Sequence, residues 1–155
     1  SLTAASSVAD MSFWAGLKLT EVGTYATDAN QAYFLYSSND DQGDLTTNAN
    51  LHFVYSVAGT NYITNLGIAV AINTIYRLRI VFDENRKISV FVNNVQYGLV
   101  TSATAGGAIQ PVSTTKSLAM TNDIDLLSFA GVQTLTTSSK NLQIGYVKLS
   151  RDLFE

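Results

Sequence analysis

Apolar and polar residues alternate along most of this chain in short runs, and small polar residues break the runs at close spacing. A period of two is what a pleated strand produces when its two faces meet different surroundings, whereas a helix repeats every 3.6 residues. The stretch YRLRIVFDENRKISVFVNNVQYG, residues 76–98, shows the rule most clearly. Tyr76, Leu78, Ile80 and Phe82 alternate with Arg77 and Arg79; a polar break follows at 83–87, and a second run resumes over 88–92. Asn93-Asn94 stands where a two-residue hairpin turn is needed, because asparagine tolerates the positive φ of such turns. The pattern reads strand, turn, strand, turn, strand.

The same reading assigns strands to residues 12–20, 32–36, 51–57, 61–64, 68–72, 95–100, 126–132 and 142–149. Helical periodicity is weak throughout, and residues 1–11 are read as an extended N-terminal arm in preference to a short helix. Residues 101–115 hold Ala105-Gly106-Gly107-Ala108 and the single proline, Pro111, and are expected to form a long surface loop. With no βα alternation, no internal repeat and no linker, the 155 residues form one domain, an all-β antiparallel two-sheet β-sandwich. Phe13, Phe34, Phe53, Phe82 and Phe91 are expected in its core.

Charge narrows the function classes. Only 14% of residues are Asp, Glu, Lys or Arg, where about a quarter is usual, so Ser, Thr, Asn and Gln must cover the surface. Such a surface repels other proteins weakly and suits packing in an assembly. A net charge of −3 without a basic stripe argues against nucleic acid as partner. The absence of cysteine excludes disulfides and thiolate metal sites. The longest apolar run, 66–72, is far short of the roughly 20 residues of a membrane-spanning helix, so no membrane partner is expected.

The residues of 76–95 then carry a likeness. An aromatic-led alternating strand ending in Phe82-Asp83, a polar turn, and Ile88-Ser89-Val90-Phe91-Val92-Asn93-Asn94 resemble the strand pair of concanavalin A-like, laminin-G-like jelly rolls. Tyr76 stands where those domains often have Trp, and Asn93-Asn94 replaces their Asp-Gly. Phe13-Trp14-Ala15-Gly16-Leu17-Lys18-Leu19 resembles an early strand of that fold, and Leu142-Gln143-Ile144-Gly145-Tyr146-Val147-Lys148-Leu149 its closing one. The arrangement is similar to jelly rolls of bacteriophage virion proteins. What the resemblance implies is a capsid decoration or tail-associated protein located on the virion, acting by protein–protein assembly with major capsid or tail proteins. A small homo-oligomer, such as a trimer, is the expected state. The alternative it implies is a lectin-like module for a cell-surface glycan.

Chemistry-bearing constellations are sparse. Glu21, Glu84 and Glu155 are far apart in sequence, and Asp123-Ile124-Asp125 reads as a solvated turn before a strand, so no two-carboxylate hydrolase site is expected. His52, the sole histidine, alternates with Leu51 and Phe53 and so falls on the opposite face of its strand. No Gly-x-Ser-x-Gly elbow accompanies it, and no catalytic residue or cofactor is assigned. Asp40, Asp41 and Asp44, with Asp28 and Asn30 upstream, are the calcium candidates, since oxygen-rich loops suit Ca²⁺. Tyr25, Tyr62 and Tyr97 lie near turns and are the glycan-stacking candidates. Arg77 and Arg79 share the non-core face of their strand and are the interface candidates, their guanidinium groups serving as polar anchors.

Overall fold

The computed structural model describes residues 1–4, 7–20, 28–38, 45, 49–103, 108–109, 114–137 and 139–150. Among the described residues eleven strands run in chain order: β1 (Leu2–Ala4), β2 (Met11–Lys18), β3 (Gln31–Ser37), β4 (Asn50–Val57), β5 (Thr60–Ala69), β6 (Leu78–Phe82), β7 (Ile88–Val92), β8 (Val95–Tyr97), β9 (Ala108–Ile109), β10 (Leu127–Thr134) and β11 (Leu142–Ile144). Among the described residues there is no helix. A six-stranded sheet has the order β10-β2-β3-β4-β5-β9, a three-stranded sheet the order β6-β7-β8, and β1 pairs with β11.

The turns follow from backbone chemistry. Asn93 and Asn94 have φ of 51° and 69°, as a two-residue turn joining β7 to β8 demands. Asn93 also ties the hairpin to the residue before β6, its side-chain oxygen accepting from the Arg77 N–H at 2.9 Å and its own N–H donating to the Arg77 carbonyl at 2.9 Å. Ala58 and Gly59, at φ 49° and 86°, make the equivalent turn between β4 and β5.

The two larger sheets face each other across one core. Phe13, Phe34, Phe53 and Tyr55 from the six-stranded sheet pack in a cluster with Ile88, Val90 and Val92 of β7, so the architecture is sandwich-like. Phe34 and Phe53 meet edge to face with centroids 5.1 Å apart, and Phe13 stacks on Tyr36 at 5.2 Å. The opposite face of the six-stranded sheet is buried as well. Trp14, Tyr33, Leu35, Val54 and Ile63 form a second cluster there with Leu45. Every residue of β3 is buried as a result, a condition that alternation cannot announce because both faces then read apolar.

Several expectations are revised. Residues 61–64 and 68–72, read as two strands, are revised: 61–64 and 68–69 belong to one ten-residue β5, 70–72 lie past its end, and its pairing with β4 slips at Leu51/His52 around a bulge. The expected surface loop 101–115 contains β9, which pairs with Thr64 and Asn65 in parallel; 104–107 and 110–113 lie outside the described residues. The N-terminal arm is stitched into the fold through β1, with Leu2 buried in the core. Phe82 is 38% exposed and Phe91 only half-buried, contrary to their expected core positions. Phe91 has the outward parity of β7, and β6 is the last strand of its sheet, so neither ring has a layer to pack beneath.

Tyr55 gives the core a pH dependence. Its ring is fully buried, its hydroxyl donates to the Val100 carbonyl at 2.6 Å, and burial pushes its pKa up to about 12. In the unfolded chain the value is about 10, so this stabilisation is complete below pH 10 and is lost as pH climbs toward 12. The loss should reach roughly 2–3 kcal/mol. Urea titrations at a series of pH values should show a steeper decline for the parent than for Tyr55→Phe over that window; identical slopes would remove Tyr55 as the cause.

Candidate functional site: a basic face on the three-stranded sheet

β6 alternates as its sequence says. Leu78 and Ile80 turn inward and pack against the core cluster, while Arg77, just before the strand, and Arg79 stand exposed on the other face. Cross-strand pairing sets Arg79 opposite Phe91 of β7, and its guanidinium carbon lies 3.9 Å from that ring's centroid. The stacked guanidinium holds its in-plane N–H groups outward for a carboxylate or carbonyl acceptor. At the end of the hairpin, Lys116 donates to Asp83 at 2.7 Å, and this hydrogen bond leads the contacts that hold the Asp83 carboxyl below its usual range. Asp83 also accepts from the Asn85 and Lys87 N–H groups, each at 2.9 Å, so it serves as a turn cap.

Charge is segregated along the chain. Residues 1–75 hold one lysine and no arginine against six carboxylates; residues 76–155 hold eight Lys and Arg against six. That one lysine, Lys18, is fully buried beside Asp28, so the accessible cations of the described residues belong to the small sheet and the segments around it. Large apolar side chains are exposed in the same region, including Val81, Tyr146, Val147 and Leu149. Arginine beside exposed aromatic and aliphatic groups, with few carboxylates, is the composition of a protein-binding surface. The apolar members were not legible from sequence, since their runs read as strand cores.

The other candidates are placed as follows. Asp40, Asp41, Asp44 and Tyr25 lie outside the described residues. Asp28 and Asn30 are engaged in the fold: Asp28 accepts from the Thr20 hydroxyl at 2.7 Å and faces Lys18, and the Asn30 side-chain oxygen accepts from the Thr121 hydroxyl at 2.7 Å. Among the described residues no group of three or more His, Cys, Asp or Glu could hold a metal ion. Tyr62 is half-buried with one ring face stacked on Tyr55, centroids 4.7 Å apart, and Tyr97 packs partly against the core.

His52 is fully buried on the outer face of β4, with Nδ1 3.0 Å from the Asn50 carbonyl, which makes Nδ1 the protonated nitrogen. Asp123 and Asp125 are exposed, Asp123 in a turn at φ 54°, and border a shallow hollow with Arg86 and Met120. The Arg86 Nε donates to the Met120 carbonyl there at 3.0 Å. No protein-family model matches this chain, and neither a curated protein nor a solved structure is similar to it.

Proposed function

We propose that this chain is a structural component of a bacteriophage virion, a capsid decoration or tail-associated protein, folded as a concanavalin A-like jelly roll. It acts by binding a neighbouring virion protein, without turnover, and takes its place on the particle as a small homo-oligomer. The observation that carries the reading is the Arg77/Arg79 face, where exposed arginines sit among exposed apolar groups in a chain whose remaining surface is largely uncharged. A low-charge, hydroxyl-rich surface with one charged and apolar patch suits permanent packing into a shell.

The test is Arg77→Glu/Arg79→Glu. Both side chains are exposed, so the melting temperature should change by no more than a few degrees. Co-sedimentation with particles of the phage that encodes the chain should weaken by about tenfold or more, because reversed charges oppose docking on a complementary patch. A folded double variant that binds particles like the parent would sink the proposal.

A further inference from the structure

β10 borders the six-stranded sheet, with β2 on one side and, among the described residues, no strand on the other. Its pairing with β2 runs unbroken over eight residues, from Leu127 opposite Lys18 to Thr134 opposite Met11. Two hydrogen bonds at the strand ends fix which of its backbone groups are open. The Leu135 N–H donates to the Asp10 carbonyl at 2.9 Å, and the Ser38 N–H donates to the Met11 carbonyl at 3.0 Å. Antiparallel ladders alternate, so even-numbered residues of β2 serve β10 and odd-numbered ones serve β3. The odd-numbered residues of β10 are therefore engaged. Ser128, Ala130, Val132 and Thr134, all exposed, aim their N–H and C=O groups away from the sheet.

Native proteins normally blunt such an edge with charge, proline, a bulge or shortness, because an open edge is a template for added strand. β9, at the other border of the sheet, has two residues. β10 carries none of these devices: no bulge interrupts its register, and neither a charged residue nor a proline stands between Asp125 and Lys140. Leu127 and Val132 add exposed apolar side chains along it.

We propose that β10 is a self-association edge: it pairs antiparallel with β10 of a second copy about a two-fold axis at Gly131, joining the two six-stranded sheets. In that register the edge complements itself. Ala130 lies opposite the partner's Val132, Ser128 opposite the partner's Thr134 and Leu127 opposite the partner's Leu135, so apolar meets apolar and hydroxyl meets hydroxyl. Every open N–H and C=O of the edge finds a partner, and Gly131, which presents no side chain, faces itself at the axis. An uncharged edge selects no charged protein over a second copy, and self-pairing brings no like charges together. Pairing consumes the edge in both copies, so the assembly closes at two. The dimer deepens the homo-oligomer of the proposed function and rests on that reading only for its place on a particle.

Sedimentation velocity over a concentration series should show monomer passing to dimer below about 0.1 mM. In the dimer the Ser128, Ala130, Val132 and Thr134 amides should exchange about tenfold more slowly, while Phe129, Gly131 and Gln133, already bonded to β2, stay unchanged. Ser128→Lys/Thr134→Lys sets like charges opposite each other at both ends of the pairing, and since both positions are exposed and polar the monomer should fold as the parent does. That variant should dimerise about tenfold more weakly or worse, as should Ser128→Glu/Thr134→Glu, and an equimolar mixture of the two should recover the dimer. A monomer throughout the series, protection that ignores the odd–even alternation, or charged variants that dimerise like the parent would each overturn the proposal. Dimerisation with charge-swap rescue alongside failed particle binding would keep the edge and discard the virion reading.

Discussion

Gly16→Ala should destabilise the fold by about 3 kcal/mol or more, enough to remove much of a domain's stability. Gly16 lies opposite Tyr33 in the β2–β3 ladder. A Cβ there would stand 2.4 Å from both the Ala32 carbonyl oxygen and the Tyr33 Cα, and 2.5 Å from the Tyr33 Cβ. These atoms belong to the partner strand's frame, so relief requires moving β3 off β2. The absent side chain also lets the Tyr33 and Phe129 rings meet edge to face across Gly16, centroids 5.5 Å apart. Gly131→Ala is the control. Its Cβ would meet the Trp14 ring at 2.6 Å, and a side chain can swing aside where a backbone cannot. Urea unfolding should therefore give a cost nearer 1–2 kcal/mol at Gly131; equal costs at the two sites would refute the backbone argument.

The second large effect is expected at Lys18. Its side chain is fully buried, with Nζ 3.7 Å from an Asp28 oxygen and 5.4 Å from the Phe129 ring centroid. Burial lowers the lysine's pKa, and Asp28 opposes the shift. Asp28 in turn accepts from the Thr20 N–H at 3.2 Å and from its hydroxyl. Lys18→Met deletes the cation and strands a buried carboxylate, at a cost of about 3 kcal/mol. Adding Asp28→Asn removes the stranded charge and keeps an oxygen for Thr20, so the double variant should return to within about 1 kcal/mol of the parent. A double-mutant cycle measures the coupling. Failure of Asp28→Asn to rescue Lys18→Met would show that the ammonium acts through contacts other than Asp28, the Phe129 ring among them.

Lys18 also marks where a reading of alternation stops. In sequence it is one polar residue in a strand that was expected to be half-buried, and a polar residue at such a position reads as wet. In the fold it belongs to a polar row with the buried Gln31 and Ser56 and the half-buried Asn61, in which Gln31 donates to Ser56 at 2.9 Å. Outside β2–β5, the described residues that pack on that face are Leu45 and Phe129.

The local pattern by itself determined that the chain is all-β, where most strands run, which side of β6 carries Arg77 and Arg79, and that Asn93-Asn94 turns. These properties follow from the two-residue pleat and from the φ preferences of single residues, which act within a few positions of chain. Tertiary structure alone decided that both faces of the central strands of the six-stranded sheet are buried, that Ala108–Ile109 pairs in parallel with β5, and that Phe82 lies at an edge. Which strand lies beside which is settled by competition among long-range pairings for the same apolar surface, and no period in the sequence records the outcome.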